Sequence, residues 1–280
     1  MRRAAGPLDP SSPTQSIAYP LQPSNRTLPL SLLPPSHDGR YLIITVSDGC
    51  LPVNKLWAVD LEGIPRTAAD ALDFSSYDFR MGSTPLPVIR LVDNFEAQWE
   101  YLGSRNTSEW TLMTNSEAPR YRVVRADISG GSLGGLHDMI PQHDKDLLQW
   151  AAEMKGGEGG VLAVCYLHDV ASELQLRSYA DGSLLRELAL PGIGSVTGFS
   201  GSWKRSEGFF SFAGFTEPGA TYRFDAAEPQ APPTLFRRTK LKLEIDPEDF
   251  ETKQVFVTSK VGGLACGNCM ACCSLQGRSG

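Results

Sequence analysis

The feature that most constrains this chain is an almost unbroken succession of short strand-like runs between residues 37 and 260. YLIITV at 41–46 and KLWAVDL at 55–61 come first, followed by PVIRLVD at 87–93, WEYLGS at 99–104, EWTLMTN at 109–115 and YRVVRADI at 121–128. The series resumes with VLAVCYLHD at 161–169, ELQLRSYAD at 173–181, LLRELAL at 184–190, SVTGFSG at 195–201, GFFSFAGF at 208–215 and ATYRFDA at 220–226. Turn residues separate the runs, and no helical period lasts beyond about three turns, so the chain is expected to be all-β. Four runs end in aspartate, at Asp60, Asp127, Asp181 and Asp225, with intervals of 67, 54 and 44 residues, the first enlarged by an insertion around 62–86. An aspartate there suits a tight turn, because its carboxylate can accept from the backbone just beyond it. Units of about 45–50 residues with four short strands are the mark of propeller blades. Blades stack face to face, which accounts for runs such as YLIITV and VLAVCYL that are apolar on both faces.

Charge and composition narrow the partners. Lys+Arg 26 against Asp+Glu 32 gives a net charge of -6, which leaves no basic excess for a phosphate backbone, so no nucleic-acid partner is expected. The apolar runs are broken within about eight positions, too short for a membrane helix. Residues 1–36 hold eight of the 20 prolines and lack an apolar signal region, so a disordered segment and a cytoplasmic location are expected. In a reducing compartment the sequons at Asn25 and Asn106 carry no meaning.

The chemistry-bearing residues offer little catalytic promise. Cys50 and Cys165 each flank an apolar run and read as buried or half-buried free thiols. Cys266, Cys269 and Cys272, with Cys273 beside the last, have the C-x-x-C-x-x-C spacing of an iron–sulfur or zinc ligand set. They lie near the chain end with nothing following to pin them, and a flexible, oxidation-prone tail over 262–280 is expected. GGSLGG at 130–135 fits G-x-S-x-G around Ser132, with Asp144 and His168 downstream in the order of an α/β-hydrolase. Pro141 comes too soon for the supporting helix, so a blade loop is expected rather than a nucleophile elbow. His37, His137, His143 and His168 show no second ligand at a helical metal spacing. No catalytic residue, metal or cofactor is expected.

The segments HDGRYLIITVSDGCLPVNKLWAVDL at 37–61, VDNFEAQWEYL at 92–102, TNSEAPRYRV at 114–123, PQHDKDLLQW at 141–150, CYLHDVASELQLRSYADGSLL at 165–185 and GSVTGFSG at 194–201 together resemble prolyl oligopeptidase, a serine peptidase family also called prolyl endopeptidase. That family joins a seven-bladed β-propeller to an α/β-hydrolase domain whose serine triad cleaves short peptides after proline, with the propeller as a filter and wall. The resemblance implies a partial propeller of about four blades at 37–236 and a linker and first hydrolase strand at 237–261, between the extensions at 1–36 and 262–280 that composition marks as disordered. It also implies that Cys50 faces the cavity between the two domains. The arginine that often stands three positions earlier is replaced by Ser47, which weakens peptide contact by this segment alone, and Cys50 stays open between lining the propeller mouth and a plain buried thiol.

The departures set the functional expectation. The triad belongs to the portion beyond VFVTSK at 255–260, where this sequence turns into VGGLACGNCMACCSLQGRSG, and the Pro-rich start stands where the family has earlier blades. A fragment or an alternative transcript product is expected at both ends. The 280 residues are expected to be inactive, with short proline-containing peptides as the family's substrates. The alternatives are a non-catalytic propeller module that binds a protein partner, and a metal or redox protein built on the cysteine tail. Self-association is expected through apolar blade faces left uncovered.

Overall fold

β-Branched and aromatic residues in alternation favour a pleated, half-buried strand, and every run read between 41 and 226 forms one. The computed structural model describes residues 16–19, 28–32, 36–77, 86–104, 106–157, 159–239, 252, 254–258 and 264–267. The first sheet runs in the order β1 (Ser16–Tyr19), β2 (Leu28–Leu32), β3 (Tyr41–Ser47), β4 (Asn54–Asp60), β5 (Val88–Val92). The second consists of β6 (Trp99–Ser104), β7 (Glu109–Thr114), β8 (Arg122–Asp127) and β9 (Gly134–Ile140). The third is β10 (Leu147–Met154), β11 (Val161–His168), β12 (Ala171–Ser178) and β13 (Leu184–Leu188). The fourth is β14 (Gly194–Ser202), β15 (Arg205–Gly214), β16 (Ala220–Asp225) and β17 (Thr234–Arg238). These four antiparallel meanders are blades of a partial β-propeller. A two-stranded ribbon, β18 (Val255–Thr258) with β19 (Leu264–Gly267), comes after them.

The aspartates that mark the repeat do what the sequence asks of them. Asp60, Asp127, Asp181 and Asp225 each accept, through Oδ1, the backbone N–H two residues on, at 3.0, 2.8, 3.2 and 2.9 Å. The repeat is therefore a repeated turn chemistry at the exit of the penultimate strand of each sheet.

The chain divides into two compact units, Met1–Glu117 with Val124–His137, and Ala118–Val123 with Asp138–Gly280. In the first unit, alternate residues of β3 and β4 feed two cores. Tyr41, Ile43, Leu56 and Ala58 pack with Trp99, Trp110 and Leu112. Ile44, Val46, Trp57 and Val59 point the other way and are covered by Leu61, Ile64, Leu72, Phe74 and Tyr77. The insertion that enlarges the first repeat interval thus folds back over its own blade. This corrects the expectation of an uncovered apolar face at that blade.

In the second unit, Cys165, Leu174 and Leu176 pack with Phe210, Phe212 and Phe224. The opposite pleat of the fourth sheet carries Phe209, Ser211, Thr221 and Arg223. That face is hydroxyl- and arginine-bearing, with one apolar corner where Phe209 meets Phe236 edge-on at 5.1 Å.

Two further expectations differ from the structure. Composition predicts disorder throughout 1–36, but the backbones of 16–19 and 28–32 lie in the first sheet, with Leu30, Ser31 and Leu32 opposite Val46, Thr45 and Ile44. Prolines forbid a helix there, but Pro29 lies before the β2–β3 register begins, so its missing donor costs that ladder nothing. In the tail, Cys266 lies in β19 opposite Phe256, whereas Cys269, Cys272 and Cys273 fall outside the described residues.

Candidate functional site

The β3–β4 turn carries Cys50. Leu51 N–H bonds the Asp48 carbonyl at 3.3 Å and Val53 N–H bonds the Leu51 carbonyl at 2.8 Å, which closes a tight loop and turns the Cys50 thiol outward. Its base is rigid. Asn54 Oδ1 accepts from Trp99 N–H at 2.7 Å, its Nδ2 donates to the Trp99 carbonyl at 3.1 Å, and Asn115 Nδ2 donates to the Pro52 carbonyl at 3.0 Å. Cys50 is therefore exposed, and the reading of it as a buried thiol is overturned. Leu51 beside it is 63% exposed. Cys165 is buried on β11, and burial pushes its thiol pKa up to about 11.

Ser132 lies in the β8–β9 turn and is exposed, with no described side chain hydrogen-bonded to its hydroxyl. The turn leads into strand β9 rather than a helix, so no helix N-terminus supports an oxyanion here. Asp144 is exposed. His168 is bonded to Asp146 instead, Nδ1 to Oδ1 at 2.7 Å.

That contact belongs to a constellation that sequence spacing does not reveal. Alternation places Tyr166 and His168 on one face of β11, Glu173 opposite Tyr166 on β12, and Leu148 opposite Tyr166 on β10. Asp146, two residues before Leu148, then comes onto the same face. One ligand-type atom from each of Asp146, His168 and Glu173 lies within 4.8 Å of the others. Asp146 is only 7% exposed. His143 Nδ1 accepts the Asp146 backbone N–H at 2.9 Å and the Lys145 N–H at 3.3 Å, which brings its ring against the Asp146 carboxylate. The hydrogen bond to Asp146 raises the His168 pKa above the ordinary histidine value. The residues stand in PQHDKD and CYLHD, but the pairing is across strands, where no fixed interval along the chain marks it.

Comparison with known proteins gives these blades a family. Residues 26–237 match the prolyl oligopeptidase N-terminal β-propeller domain, so the match begins inside the segment expected to be disordered. Prolyl oligopeptidase A of Galerina marginata is 28% identical over 80% of this chain and 27% of its own length. A dual function macrocyclase-peptidase of Amanita bisporigera is 29% identical over 81% of the chain and 28% of its own length. The apo structure of prolyl oligopeptidase B from Galerina marginata superposes with a TM-score of 0.66 at 26% identity, covering 82% of this chain and 29% of that one. A second structure of that enzyme, bound to a 35mer hydrolysis and macrocyclization substrate, gives the same score. The chain thus spans less than a third of the length of these relatives. Among the described residues no helix is long and apolar enough to cross a membrane.

Proposed function

The chain belongs to the family of prolyl oligopeptidase N-terminal β-propeller domains, and we propose that residues 1–280 act as the substrate-admitting wall of a serine endopeptidase that cleaves short peptides after proline, without cleaving peptide bonds themselves. The observation that carries the second half is the turn at Ser132. Acyl transfer needs a serine hydrogen-bonded to a base, an orienting carboxylate and donors aimed at the oxyanion. Ser132 is exposed on a hairpin between two strands, and the histidine downstream of it is bonded to Asp146. The first half is supported by family membership and by the rigid, outward-facing Cys50 turn.

Two experiments test the reading. The purified chain is expected to release no fluorophore from a Gly-Pro substrate above a mock preparation, and release abolished by Ser132→Ala would overturn it. In a chimera of Galerina marginata prolyl oligopeptidase A carrying residues 37–236 of this chain at the matching position, a bulky maleimide on Cys50 is expected to lower turnover. Unchanged turnover with complete labelling would show that the turn does not border the substrate path.

A second reading, a module that binds a protein partner or a second copy of itself, has the support of apolar side chains exposed on the fourth sheet. Phe215, Leu235 and Phe236 are 52%, 48% and 64% exposed, and β17 is an edge strand. Light scattering of the wild type against Phe236→Ser separates a self-associating chain from a monomer.

A further inference from the structure

We propose that Asp146, His168 and Glu173 form a site for a borderline-soft divalent metal ion, with Zn2+ as its best-matched occupant. The three residues come from three neighbouring segments of the third sheet: the connection leading into β10, the end of β11 and the start of β12. Antiparallel pairing brings them together rather than flexible side-chain reach, since His168 pairs with Ala171 and Tyr166 with Glu173. Their ligand-type atoms lie within 4.8 Å of one another. Ligand atoms about 2.0–2.2 Å from a common tetrahedral ion are separated by roughly 3.5 Å, so small side-chain rotations close the site.

The electrostatics favour a cation. Asp146 is 7% exposed and its ion-pair partners are histidines, while Glu173 accepts through Oε1 from the neutral Gln175 amide and leaves its second oxygen for a cation. The carboxylate of Asp146 is hydrogen-bonded to the ring of His168 at 2.7 Å, and His143 accepts its backbone N–H at 2.9 Å. A buried carboxylate held by one imidazole, with a second carboxylate beside it, favours positive charge at this place. A divalent ion supplies it and leaves the set of two carboxylates and one imidazole neutral. Imidazole nitrogen with carboxylate oxygen suits zinc and its first-row neighbours, whereas calcium and magnesium take oxygen alone.

The position gives the ion a structural task. Asp146 and His168 are separated by 22 residues of chain, so a shared metal clamps the entry of the blade to its central hairpin. His143 would keep the backbone of Asp146 in place through the N–H that it accepts. The fourth position is left for water or for a group from outside the chain.

The test must separate this site from the cysteine tail, which is a rival metal binder. In the full chain with Cys266, Cys269, Cys272 and Cys273 all changed to Ser, zinc titration by calorimetry is expected to give one equivalent bound. Cobalt substitution is expected to give visible ligand-field bands without thiolate charge transfer. His168→Ala or Glu173→Gln in that background is expected to weaken zinc by at least about tenfold, since even loss of an outer-shell partner costs that much. Both side chains reach solvent, and metal-free melting curves check that the variants remain folded. Zinc binding that disappears with the four serine substitutions, or that ignores both His168→Ala and Glu173→Gln, would overturn the proposal, as would the absence of any stoichiometric binding.

Discussion

The guanidinium of Arg40 grips the carboxylate of Asp60 across the β3–β4 pair, with Nη2 2.8 Å from Oδ2 and Nε 3.3 and 3.2 Å from the two oxygens. The same carboxylate accepts the Glu62 N–H that starts the insertion. One side chain therefore joins the propeller repeat to the segment that covers the first blade.

The Arg40 hydrogen bonds hold the Asp60 carboxyl below its ordinary range. A group with a depressed folded pKa contributes stability above its unfolded value and loses it as pH falls through the folded one. Asp60→Asn keeps an acceptor for Glu62 but removes the charge. It is expected to lower stability at neutral pH by under about 1 kcal/mol, because the pair is partly solvated. The gap from wild type should close below about pH 4, which parallel thermal melts across pH would reveal.

The insertion is expected to be an integral part of the first unit. Ile64 is 3% exposed and packs against the outward face of β3 and β4. Ile64→Ala removes a buried aliphatic side chain and should cost about 2–4 kcal/mol in denaturant unfolding. A value near zero would mean that the segment merely drapes over the blade.

Most of the fold is legible in the sequence because its signals are local. Alternation in YLIITV and the four turn-forming aspartates need only neighbouring residues to be read. β9 carries no such mark because it is an outer strand, GGLHDMI, five of whose seven residues are exposed, so no apolar alternation sets it apart. β10 is hidden because LLQWAAEM carries a register shift between Leu148 and Trp150 that breaks the two-residue period. The covering role of the insertion is invisible to a local reading, since Leu72 and Phe74 are strangers in sequence to Ile44 and Val59. The Asp146–His168 pairing is hidden for the same reason, being a product of strand register.

The two described thiols should behave oppositely. Cys165 is buried, and its pKa of about 11 leaves almost no thiolate at neutral pH. Cys50 is exposed on its turn. Brief treatment of the folded chain with iodoacetamide, followed by peptide mapping, is expected to modify Cys50 and spare Cys165 until denaturant is added. Equal labelling of both under native conditions would mean that the third sheet opens far more readily than its packing suggests.

Gly182 is the position where a single methyl group should do most harm. It comes after Asp181 in the β12–β13 turn with φ of 75° and donates its N–H to the Ser178 carbonyl at 2.8 Å. A Cβ built there would lie 2.0 Å from the Met139 carbonyl oxygen and 2.8 Å from its carbon. Both neighbours are backbone atoms, so neither a rotamer change nor a small side-chain shift relieves the clash. The left-handed conformation and the overpacking each cost about 1–3 kcal/mol, and Gly182→Ala is expected to lose about 3 kcal/mol or more. Gly192 supplies the control, because it lacks a positive φ and a Cβ on it meets nothing within 4 Å. Gly192→Ala should stay within about 0.5 kcal/mol of wild type. Equal stabilities for the two variants in denaturant melts would show that the turn can move away from Met139, and that the close approach of backbone to backbone does not fix the end of this blade.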